Sequence, residues 1–150
     1  MKLIPIMIAS LLTLLAIFSA SCDKTHTADR AFENFMAYSF KHGQKLDDFL
    51  AMTTGPLQMK LSSLTPEEIQ EFLGVDNLKK KKLKITLQKC APTQCFLTYI
   101  IQYDVQQAAQ TDFAVEAKKI AELQLVDGRW KVADIVNQKT FIEAKQSINP

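Results

Sequence analysis

Residues 113–136 read FAVEAKKIAELQLVDGRWKVADIV, and their alternation sets the fold class. Phe113, Val115 and Ala117 recur at every second residue, and Ala121, Leu123 and Leu125 continue the series. A period of two belongs to a strand with one face on a core. Lys119 interrupts the apolar series with Ile120 beside it, which predicts a bulge near 118–120. Asp127-Gly128 then supplies the residue types of a two-residue hairpin turn. The return strand runs from Arg129 to Val136. Trp130, Val132 and Asp134 share one parity, while Ala133, Ile135 and Val136 break the strict alternation.

Upstream, the same period appears twice. Leu83, Ile85 and Leu87 alternate with Lys84, Thr86 and Gln88, and Leu97, Tyr99, Ile101, Tyr103 and Val105 alternate with Thr98, Gln102 and Asp104. Phe96 and Ile100 make the second face of that strand partly apolar. Residues 106–112 read as a connection, and the basic run Lys79 to Lys82 as a solvated loop between two elements. Cys90 and Cys95 enclose Ala-Pro-Thr-Gln, so a four-residue hairpin loop would set the two thiols opposite one another, within reach of a disulfide. Free thiols and redox or metal chemistry are the alternatives. Redox pairs usually have two intervening residues, and the only histidines, His26 and His42, lie far off in the chain.

Before the strands the period is helical. Phe32, Phe35, Met36, Phe40, Leu46, Phe49 and Leu50 recur at steps of three and four, which predicts one long helix from about Ala28 to Met52, with a bend or close packing at Gly43. Gly55-Pro56 ends it. A shorter helix begins at Thr65, where Thr65, Pro66 and Glu68 have the spacing of a capping box. Ile69, Phe72 and Leu73 form its apolar face, and Gly74 its stop. Leu57, Met59, Leu61 and Leu64 fit either a helical turn or irregular packing. The tail from Asn137 to Ile148 is expected to add a helical turn.

Helices first and antiparallel strands after give the α+β class. The order of a long helix, a short helix and long hairpins, closed by Val-Asp-Gly-Arg-Trp-Lys-Val at 126–132, resembles the cone-shaped fold of the nuclear transport factor 2-like superfamily, and its small bacterial lipoproteins in particular. The resemblance covers about 28–137. It implies a curved antiparallel sheet under the helices, with Trp130 packed in the core after the Asp127-Gly128 turn. It also implies an open end where ketosteroid isomerase-like and dehydratase-like members place catalytic groups. The residues expected around such a pocket are Phe35, Phe49, Tyr99, Tyr103, Lys119, Trp130 and Asp134.

The amino terminus reads as an export signal. Lys2 is followed by an uncharged apolar stretch from Leu3 to Phe18 and by small residues at 19–21. Ser19-Ala20-Ser21-Cys22 resembles the bacterial lipobox, with Ser19 where that pattern has leucine. Cysteine arithmetic points the same way: of the 3 cysteines, pairing Cys90 with Cys95 leaves Cys22 odd, and lipidation explains it. The expected organisation is a signal at 1–21, a lipidated tether at 22–29 and a single domain at 30–150. An ordinary cleaved signal and an uncleaved anchor are the alternatives. Asp23 resembles an inner-membrane retention signal, but the choice of membrane stays open.

A formal net charge of +2, one unit of which leaves with Lys2, provides no field for nucleic acid. The chain carries no phosphate-binding glycine loop, serine elbow or paired metal-ligand spacing, and no cofactor is expected. The leading expectation is a membrane-anchored envelope lipoprotein, more a binding module than an enzyme, whose partners are the bilayer and either a small apolar ligand or an envelope protein. The alternatives are an enzyme using Tyr99, Lys119 or Asp134, and a structural assembly component.

Overall fold

The computed structural model describes residues 27–73, 78–105 and 113–144. The export signal, Cys22 and most of the tether lie outside these residues. So do Gly74, the connection at 106–112 and the tail from 145. Helix α1 spans Ala28–Tyr38, α2 Leu46–Met52, α3 Gly55–Ser62 and α4 Pro66–Leu73. Strand β1 spans Leu78–Cys90, β2 Gln94–Val105, β3 Phe113–Val126 and β4 Arg129–Ala144.

The strands pair in chain order, β1-β2-β3-β4, each antiparallel to the next. This is an open meander, and β1 and β4 are its two edges. The cone expected from the resemblance is therefore absent: among the described residues nothing joins the edges, and the sheet does not close. Sequence order told of helices and hairpins, but closure depends on which strands meet across space, and no local pattern encodes that.

The long helix is also corrected. The chain leaves α1 after Tyr38, turns through 39–45 and re-enters helix at Leu46. Gly43 sits in the turn at φ 71°, a left-handed conformation that stops a helix and is unstrained for glycine. Tyr38 clamps the two pieces together. Its hydroxyl donates to the Asp48 carboxylate and accepts from the Lys45 backbone N–H at 2.9 Å, while Gln44 Nε2 donates to the Tyr38 carbonyl at 2.8 Å. The apolar stripe continues across the break because Phe35 and Phe49 still meet edge to face, with centroids 5.8 Å apart.

The ambiguous stretch at 57–64 is helical as far as Ser62, in α3. The capping box at α4 forms as its spacing predicts: Glu68 N–H donates to Thr65 Oγ1 at 3.3 Å, and Thr65 N–H to Glu68 Oε2 at 2.8 Å. Lys79 to Lys82, expected in a loop, belong to β1. Residues 137–144, expected to turn helically, extend β4 instead.

The core lies between the helices and one face of the sheet. Cys95, Leu97, Tyr99 and Ile101 of β2, and Ala117, Ala121 and Leu123 of β3, are buried there together with Phe32, Phe35 and Phe49. Burial in β2 alternates from Gln94 to Ile101, as a one-sided strand requires. The disulfide between Cys90 and Cys95 joins the last paired rung of β1 and β2, and the Ala91 N–H donates to the Gln94 carbonyl at 2.7 Å across the loop.

Two register shifts mark β4. The partners of Glu122 and Leu123 are Asp134 and Val132, and those of Lys118 and Lys119 are Lys139 and Asn137, so Ala133 and Gln138 are extra residues. β3 itself runs regularly against β2. The irregularity expected at 118–120 is thus present in the sheet, but the added residue sits on the neighbouring strand. At the first bulge the chain from Thr53 to Gly55 lies alongside β4. Thr54 N–H donates to the Val132 carbonyl at 2.9 Å, and Thr53, fully buried, donates its hydroxyl to the Phe49 carbonyl at 2.8 Å.

Candidate functional site

The two segments that replace the long helix leave part of the sheet open. Between α1, α3, α4 and the inner face of β2 and β3 lies a cleft of about 320 Å3. Such a volume is at the small end of the range typical of ligand sites, roughly 300–1,000 Å3. Met36 and Phe40 line it from α1 and the turn that follows, Leu57 and Leu61 from α3, and Phe72 from α4. Its floor is formed by Tyr99, Ile101, Tyr103 and Lys119.

Each floor residue is placed by strand parity. Tyr99 and Tyr103 alternate on the inner face of β2, and their partners on β3 are Lys119 and Val115. Tyr99 is 1% exposed and its ring lies 4.6 Å from that of Phe32, so burial raises its pKa above the ordinary phenol value. A phenol in that state keeps its proton at neutral pH and acts as a hydrogen-bond donor rather than a base. Phe40 tilts against Tyr103 with centroids 6.1 Å apart, and Phe72 meets Phe49 edge to face at 5.0 Å.

Among the described residues, Lys119 is the only charged side chain in the lining. It is half-buried, and burial lowers its pKa from 10.5. Among the described residues no carboxylate pairs with it. A partly desolvated ammonium without a counter-ion is unfavourable, and its position follows from parity alone: the β3 face that holds Ala117 and Ala121 must also hold residue 119.

Of the seven residues expected around a pocket, Phe35, Phe49, Tyr99, Tyr103 and Lys119 line this cleft. Trp130 does not. It lies with Ala31, Asn34 and Met52 around a separate depression of about 370 Å3 at the start of β4. Asp134 is on the other side of the sheet. The Ala133 bulge reverses parity after Val132, so Asp134 pairs with Glu122 on the outer face, and its Oδ1 accepts from the Ile135 N–H at 2.8 Å. The expectation that Asp134 shares the interior face of Trp130 and Val132 is corrected accordingly. The acid/base grouping of Tyr99, Lys119 and Asp134 does not assemble.

Phe72, Leu57 and Leu61 were not expected at the site. Phe72 was legible as part of an apolar helix face, and Leu57 and Leu61 stand four apart, but nothing local showed which surface they would meet. Among the described residues no group of acidic, histidine or cysteine side chains is arranged to hold a metal ion, and no helix is long and apolar enough to cross a membrane.

No protein-family model matches the chain, and no curated protein matches it. The resemblance to the nuclear transport factor 2-like superfamily therefore lacks a sequence match as well as the cone. The site must be interpreted from its own geometry.

Proposed function

We propose that the protein is a membrane-anchored envelope lipoprotein, held through Cys22, whose domain binds a small, largely apolar ligand in the cleft under α3 and α4. The observation that carries the binding reading is the lining: aromatic and aliphatic side chains from four helices and three strands converge on one opening, with no carboxylate among the described residues there. A few polar groups in an otherwise apolar concavity are the usual composition of a ligand site. The anchor rests on the sequence at 1–22. The Cys90–Cys95 disulfide supports export, because such bonds persist in oxidising compartments.

Two measurements test the two parts. Mass spectrometry of the membrane-extracted chain should find acyl groups on Cys22; an unmodified cysteine would remove the anchor. For the cleft, membranes containing the full chain are exposed to a neutral alkyl probe with a photoreactive group, and the cross-linked peptides are identified. Label should map to the segments around Phe40, Leu57 and Tyr103, and Leu57→Trp, which fills the opening, should abolish it. Label spread evenly over the surface, or unchanged by Leu57→Trp, would overturn the binding reading.

A further inference from the structure

Lys119 gives the cleft a polarity that its apolar lining does not require. On the same β3 face the neighbouring positions are Ala117 and Ala121, both buried. Lys119 is therefore flanked on its own strand by small side chains, and its cross-strand partner is Tyr99. Among the described residues no acidic side chain lines the cleft with it. An unpaired cation at the floor of an apolar opening is complementary to a ligand with one anionic head and one apolar chain. The head would gain a charge-assisted hydrogen bond, and the chain would lie against Met36, Phe40, Leu57 and Phe72.

We infer that the cleft selects single-chain amphiphiles with an anionic head, of the fatty-acid type, through a direct contact between that head and Lys119. This rests on the reading of the cleft as a ligand site and names the class of ligand. Tyr99, protonated at neutral pH, can donate a second hydrogen bond to the same head. A charged hydrogen bond of this kind corresponds to a preference of about tenfold or more over a neutral analogue.

The test uses membranes containing the full chain and two photoreactive probes of equal chain length, a fatty acid and the corresponding fatty alcohol. The acid should label the cleft peptides at least about tenfold more efficiently than the alcohol. Lys119→Met should remove that preference while alcohol labelling persists, and Lys119→Arg should retain it. Equal labelling by both probes in the unmodified chain, or an acid preference that survives Lys119→Met, overturns the assignment and leaves the cleft intact as an apolar site. Failure of both probes to reach the cleft instead overturns the ligand-site reading itself.

The free edge of β4 carries an independent pattern. The opposite edge, β1, is guarded by Lys79, Lys82, Lys84 and Lys89 and by two register shifts, which are common protections against strand addition. From Lys139 to Ala144, past its second bulge, β4 is regular, fully exposed, and pairs only with β3 among the described residues. Lys139, Phe141 and Glu143 share its outer face, opposite Lys118, Glu116 and Ala114. Phe141 is 53% exposed, and Ile142 on the other face is 68% exposed.

We propose that two copies of the chain pair antiparallel along this edge with Phe141 on the two-fold axis. That register sets Lys139 of each copy opposite Glu143 of the other and Phe141 opposite Phe141. Any shift of one residue separates both charge pairs. An isologous contact of this kind closes on itself and joins the two sheets.

Phe141→Cys in membranes should form a disulfide-linked dimer on mild oxidation, well above the yield from Leu87→Cys on the guarded edge. Adding Lys139→Glu should lower the yield several-fold, and adding Glu143→Lys to that should restore it. A Phe141→Cys yield no greater than that of Leu87→Cys overturns the proposal, as does failure of the double charge reversal to restore it.

Discussion

The two ends of β4 obey different rules. From Trp130 to Ile135 the strand is buried or half-buried under α1 and α3, with Val132 and Ala133 almost sealed. From Val136 to Ala144 every residue is exposed. The difference is one of length. β4 has 16 residues, whereas the helices have 11, 7, 8 and 8. Each helical residue advances about 1.5 Å and each strand residue about 3.3 Å, so helices this short cannot cover strands this long. What remains uncovered is the open part of the cleft and the free edge.

This contrast can be broken most severely at the covered end. Phe32 is fully buried against Tyr99, so Phe32→Ala should destabilise by about 3–5 kcal/mol in denaturant unfolding. Replacing both Cys90 and Cys95 with Ala opens a small loop and should remove about 2 kcal/mol, read from the same transition. Thr53→Val keeps the shape but deletes the hydrogen bond to Phe49, and a loss of about 1 kcal/mol is expected. At the open end Ile142→Ser should lie within about 0.5 kcal/mol of the parent. A loss at Ile142 comparable with that at Phe32 would mean that the open end is covered in solution.

Lys119 lies between these extremes, and its effect depends on pH. Its pKa is lower in the folded chain than the 10.5 of the unfolded one, because burial penalises the charge. Between the two values the unfolded chain binds more protons, so the lysine makes stability rise with pH across that window. Lys119→Met should therefore be more stable than the parent near neutral pH. The gain should narrow as pH climbs towards 10.5. Melting temperatures of both proteins at neutral and alkaline pH measure it, and a gain that stays constant would mean Lys119 is fully solvated when folded.

Much of this was legible where local chemistry decides. The alternation at 97–105 and 113–126, the Asp127-Gly128 turn, the Cys90–Cys95 pair and the Thr65 capping box all appear where the sequence placed them. The failures have a common cause. The apolar stripe through Phe40, Leu46 and Phe49 continued as if helical, although the backbone turns at Gly43, because side chains can meet across a break. Lys79 to Lys82 looked like a loop since an edge strand can carry lysines that a central strand could not. The parity of Asp134 with Trp130 and Val132 points to the inner face, and the extra residue Ala133 reverses every side chain after it. The pocket was half legible: strand parity located Tyr99, Tyr103 and Lys119, whereas the contribution of α3 and α4 depended on long-range packing.

The bulges in β4 have a further consequence for changes in chain length. Ala133 and Gln138 have no cross-strand partner, so loss of either would leave every remaining residue on its present face. They are not equivalent. Ala133 is buried beside Gly55, where it fills space against the Thr53–Gly55 segment, while Gln138 is exposed. Deleting Gln138 should therefore be a milder event than truncating a single buried ring at the other end of the molecule. In β4 the gentle deletion is at Gln138 and the costly one at Ala133.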